Sequence, residues 1–145
     1  MIFKQTSRES GEKIFVVARN TSGATYSAGV PVFWETDAIS DGVAVSAAIE
    51  STDFCLFAGM TTSAMADDDY GLIQVYGILS DAYVSAASAG CKVGLALLPV
   101  DGGDYLTDVT SSTRYDWNFV NLFEAVAASA AYSGVRTWDV FIRAL

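Results

Sequence analysis

Histidine is absent from this 145-residue chain. Its absence removes the commonest general base near neutral pH, the Ser-His and Cys-His nucleophile pairs, and most zinc sites. Charge is scarce as well. Only 17% of residues are charged, against about 25% in an average soluble domain. Basic residues are the scarcer kind, eight against seventeen acidic, for a net charge of −9. Nucleic acid is a poor partner for such a chain, because phosphate binding needs clustered Lys and Arg. An anionic membrane surface is a poor partner for the same reason.

Long apolar runs are also missing. No stretch approaches the 18 or more residues of a membrane helix. The opening "MIFKQTSRESGEK" has no apolar core of the kind a signal peptide carries. Folding in a reducing cytoplasm is the resulting expectation. Cys55 and Cys91 each lie in an apolar run that suits a small buried thiol. Whether the two are paired stays open. The G-x-S-x-G, P-loop and G-x-G-x-x-G patterns do not occur. Carboxylate pairs such as Glu50 with Asp53 are left, at a strand-entry turn where acids are ordinary. No catalytic residue, cofactor or metal ligand is assigned.

What the chain does have is apolar content, 52% by residue. It falls in short runs rich in Val, Ile, Phe, Tyr and Trp. These are 13–19, 29–36, 43–49, 53–60, 71–84, 92–100 and 135–145, with Gly, Asn, Asp and Ser between them. The pattern predicts an all-β, single-domain β-sandwich or β-barrel, jelly-roll-like, of about eight strands over 13–145. Residues 1–12 read as a flexible N-terminal arm. Segment 117–134 fits two patterns. Phe119, Leu122, Phe123 and Val126 have helical spacing, which would give one short helix near 117–130. The strand alternative runs to about Ala127. A faint echo, S-A-G-x-x-V, occurs at 27–32 and again at 88–93.

Two acidic stretches invite a metal reading. Asp67, Asp68 and Asp69 are adjacent, and three neighbours on an extended backbone cannot all face one ion. An exposed turn before a strand is expected there. "DGGDYLTD" (101–108) occurs once, whereas calcium-binding β-rolls need stacked turns. It reads as a tight turn. "NTS" at 20–22 matches the N-glycosylation pattern, and it too reads as a turn.

The strands themselves are two-sided. A strand with one wet face alternates apolar and polar residues. Around Ile73–Val84 both faces are apolar, and the neighbours Phe33 and Trp34 must point opposite ways. The outer face then needs a cover, either another subunit or a segment such as 117–134. Phe33, Trp34, Phe57, Tyr76 and Trp138 are the candidate interface positions under the first alternative. Trp34, Trp117 and Trp138 are also the residues that could stack on a sugar.

Three stretches together carry a family resemblance: "ARNTSGATYSAGVPVFWETD" (18–37), "FAGMTTSAMADDDYGLIQVYGILSDAYV" (57–84) and "SAGCKVGLAL" (88–97). In that order they resemble the capsid decoration, or cement, proteins of tailed bacteriophages. The resemblance implies a β-barrel or β-sandwich subunit, commonly a homotrimer, that binds the major capsid protein on the outer surface of the virion. It also implies a role for the N-terminal arm in reaching a neighbour. The family has no catalytic or ligand residue to carry across. A phage tail or fibre subunit and a carbohydrate-binding module are the alternatives.

Overall fold

The computed structural model describes residues 2–7, 11–36, 41–47, 56–85, 93–100, 103–108, 120–123 and 135–144; residues 2–7, Gly11 and Leu122 are described by backbone alone. Cys55, Cys91, Glu50, Asp53, Trp117 and the second S-A-G lie outside these residues, as does most of 117–134. The described chain is all-β. It forms β1 (Ile2–Ser7), β2 (Gly11–Asn20), β3 (Pro31–Trp34), β4 (Ala44–Ser46), β5 (Phe57–Thr61), β6 (Tyr70–Ser85), β7 (Ala96–Pro99), β8 (Leu106–Asp108), β9 (Val120–Leu122) and β10 (Val135–Arg143).

The three longest pairings make a ribbon of four strands. β1, β2, β6 and β10 lie side by side in that order, each antiparallel to the next. Each long strand uses its C-terminal part against the N-terminal part of its successor: Ile14–Arg19 of β2 faces Tyr70–Tyr76 of β6, and Tyr76–Ser85 of β6 faces Val135–Arg143 of β10. At 16 residues β6 is the longest strand, which at about 3.3 Å per residue spans roughly 50 Å. It is long enough to serve two structures at once.

Short strands close each half into a ring. From the end of β2 the sheet continues through β4, β3 and β5 and back to β6, and β6 also pairs with β2. From the end of β6 it continues through β8, β7 and β9 to β10, and β10 pairs with β6. Both circuits enter by a parallel pair, Arg19 with Ala44 in the first and Val84 with Leu106 in the second. Every other pairing in both is antiparallel. The chain is therefore a tandem of two five-stranded barrels with the same connectivity. β6 is the last strand of one and the first of the other. Closure of this kind removes sheet edges.

Both barrels are filled with side chains. Val32, Val45, Ala58, Ile73 and Val75 meet inside the first. Leu79, Val84, Leu97, Leu106, Val120, Val140 and Ile142 meet inside the second. Phe33, Phe57 and Met60 belong to strands of the first barrel but point outward from it, into the second core. Thus β3 alternates Val32 in, Phe33 out and Trp34 in, as a period-2 strand must.

Three expectations change. Ten strands are present among the described residues rather than about eight; the additions are β1 and β8. Residues 2–7, read as part of a flexible arm, are hydrogen-bonded in a hairpin with β2. Inside "DGGDYLTD", Leu106–Asp108 is a strand, because it completes the second ring against β7 and β6. In the ambiguous segment, Val120–Leu122 is a strand, held between β7 and β10.

Candidate functional site

The triple aspartate was the most conspicuous chemical feature of the sequence, and its surroundings show how it is used. Residues 67 and 68 form the turn itself, and Asp68 takes the left-handed conformation at φ 61°. Asp tolerates that region better than most residues. One Asp67 carboxylate oxygen accepts the Gly23 N–H at 2.8 Å. The backbones of Asp68 and Asp69 exchange hydrogen bonds with Asn20, Asp68 N–H donating at 2.8 Å and Asp69 O accepting at 3.0 Å. Nearby, Arg19 reaches Asp41 at 3.2 Å and stands 3.9 Å from Asp68. Hydrogen bonding with Tyr70, and secondarily these carboxylates, raises the Arg19 pKa against a lowering by burial. Among the described residues no three potential metal-ligating side chains cluster.

Asn20 is the hub of this end. It is fully buried. Its amide donates to the carbonyls of Ala24 (2.6 Å), Met65 (3.1 Å) and Ala66 (3.1 Å). Its side-chain oxygen accepts from the Ser22 N–H (3.0 Å) and hydroxyl (2.8 Å). The glycosylation-like N-T-S is thus a structural turn: a buried amide with all its hydrogen-bonding capacity spent is not presented for modification. A buried Asn needs such partners to offset its desolvation.

The five aromatic candidates do not form one surface. Phe33 and Phe57 are 2% and 5% exposed. They are cross-strand partners packed edge to face, with ring centroids 5.7 Å apart. Their placement as interface residues is corrected by this packing: the cover that the two-sided strands require is the second barrel of the same chain. Trp34 is half-buried against the first core and Trp138 half-buried against the second. Tyr76 is half-buried and packs edge to face with Phe141 across β6 and β10, at 5.4 Å. Such positions leave little free ring surface for stacking on a sugar.

Among the described residues, the large apolar side chains that do face solvent were not among the candidates. They are Tyr70, Leu72, Val93, Phe123 and Val135. Phe123 was read as one member of an ambiguous helix or strand. Val93 lay in a run taken to be wholly strand, whereas it sits in the turn before β7. The Asn121 amide donates to Gly94 O at 3.3 Å, and the Phe123 N–H donates to Asp139 O at 2.9 Å. Val93 and Phe123 therefore lie at the same end of the second barrel.

Fold and surface together define a class: an all-β protein of two fused, side-chain-filled barrels. A scan against protein-family models finds no match, and a search of curated proteins finds no significant relative.

Proposed function

We propose that the chain is a structural subunit of a phage particle, a decoration or cement protein that binds the major capsid protein on the outer capsid surface. It acts as a homo-oligomer, a trimer in the simplest form, and reinforces the lattice through its contacts. The observation that carries this reading is the use to which the described polar groups are put. The acidic turn, Asn20, Thr61 and Arg19 hold loops to barrel ends, while both barrel interiors are filled by apolar side chains. A load-bearing tile needs solid barrels and tied loops, and the net charge of −9 keeps an external protein soluble and selective for a partner of opposite charge.

The segments behind the resemblance support the same view. Residues 18–36 and 57–84 build the shared strand β6 and most of the first barrel, the framework of the molecule. Quantitative mass spectrometry of purified virions tests the proposal. The protein should be present at a copy number matching the capsid lattice sites. Its absence from particles, or a few copies confined to tails, overturns the decoration role.

A further inference from the structure

The outward row of β6 changes character along its length. Gly71 faces the first core, where a Cβ on it would collide with the Met65 sulfur, and Ile73 and Val75 are buried in that core. Tyr70, Leu72 and Gln74 therefore point away from it. Gln74 is 1% exposed, Leu72 39% and Tyr70 62%. Met60, the β5 partner of Gln74, enters the second core. The second barrel thus clads this face as far as Gln74. Among the described residues, nothing lies over it from Leu72 to the acidic turn.

The bare part spans two strands. Val17 stands opposite Leu72, and Arg19 opposite Tyr70. Ala18 is buried in the first core, so Val17 and Arg19 share the outer side with Tyr70 and Leu72. Phe15 is next on that side of β2 and, like Val17, half-buried. Tyr70, Leu72, Val17 and Phe15 make one apolar patch across β2 and β6. Tyr70 is held in place by hydrogen bonding with Arg19, which is itself tethered to Asp41 at 3.2 Å. A ring fixed in advance loses little freedom on docking. Carboxylates rim the turn side of the patch. Asp41 and Asp68 stand 3.2 and 3.9 Å from Arg19, Asp67 and Asp69 adjoin Asp68, and all four are exposed. Four negative groups surround one guanidinium. Lys13, at the far end of the same row of β2, is roughly 20 Å from Arg19 at about 3.3 Å per residue.

We infer that this face docks the chain onto the capsid protein, at a surface where Lys or Arg side chains surround an apolar hollow. Charge decides the occupant. Two copies meeting here face to face would oppose carboxylates to carboxylates. A basic partner is attracted by the same groups, and Tyr70 and Leu72 supply an apolar anchor at the centre. This docking face rests on the decoration role proposed above, to which it adds the contacting surface.

Rebinding to purified capsids assembled without the protein tests it. The wild type should bind, and more weakly as salt rises. Tyr70→Ser with Leu72→Ser should weaken binding at least about tenfold. Asp67→Asn with Asp68→Asn keeps an acceptor for the Gly23 N–H and a residue suited to the left-handed turn. It should weaken binding several-fold and flatten the salt dependence. Val135→Ser alters an exposed apolar residue at the opposite end of β6 from Tyr70, and should bind as wild type does. Thermal midpoints and sedimentation should stay near wild type throughout. A wild type that fails to bind overturns the decoration role and this face with it. A wild type that binds while both patch variants bind equally well overturns the face alone. Patch variants that lose self-association overturn the capsid protein as occupant, in favour of a second copy.

Discussion

The first barrel differs from the second in what its strands touch on their outer side. Phe33, Phe57 and Met60 leave the first barrel and enter the second core. The described core of the second barrel sends no comparable set back: the first core draws on β6, which both share, and on Tyr83 and Ala144 at its margin. The first barrel is thus clad by the second, while the second is clad by nothing described. Equal topology does not give equal environment. A repeated unit in the interior of an array is covered by the next, and the terminal unit must either carry a polar cap or find a partner. Among the described residues, Val93 and Phe123 stand exposed at that end with no polar cap over them.

The largest effect that would sharpen the comparison lies at Phe33. Phe33→Ala removes a side chain that is 2% exposed, and should cost about 3–5 kcal/mol in a denaturant titration. Hydrogen exchange should show amides of β7 and β9 in the second barrel losing protection, although the substitution is in the first. Protection lost only in β3–β5 would break the account of one barrel cladding the other. Next come two glycines with similar left-handed backbones, Gly29 at φ 80° and Gly94 at φ 85°. Alanine at either carries about 1–2 kcal/mol of conformational strain. Gly29→Ala must also displace the backbone of β6, whereas a Cβ on Gly94 meets nothing within 4 Å. The overlap adds about 1–3 kcal/mol, so the two midpoints should separate clearly. Equal losses would mean that the first barrel's end is not tightly covered. The smallest effect is at Asn20, whose deletion to Ala leaves the carbonyls of Met65 and Ala66 without their side-chain donor. A loss of about 1–3 kcal/mol is expected, read in the same titration. An unchanged midpoint would show that the acidic turn does not depend on it.

Much of the strand content was legible, for a simple reason. Runs of Val, Ile, Phe and Tyr ended by Gly, Asn or Asp have few ways to fold other than as β-structure. The turn at Asp67–Asp69 was legible too, because three adjacent acids cannot converge. The doubled topology was not. It lies in pairings between residues with little in common: Trp34 opposite Val45 corresponds to Pro99 opposite Leu106, and Thr61 opposite Ile73 to Leu122 opposite Val140. Hydrogen bonds between strands are made by backbone, so the architecture can repeat while side chains drift. The two-sided burial of β3 and β5 was visible in sequence, but which neighbour supplied the cover was not. A pattern of apolar residues records that a face is dry and is silent on what dries it. β1 escaped notice because "IFKQTS" is mostly polar, and an edge strand needs only its backbone and one neighbour to form.

β6 has a consequence for how the molecule can come apart. Most two-part proteins have a connector that can be cut to release two pieces, each able to stand alone. Here the connecting element is itself a wall of both chambers, and removing it opens both. A break placed anywhere between residues 70 and 85 should leave neither piece able to fold. Heat or denaturant should take both halves through one transition, and the protein, by this economy, has no joint about which to bend.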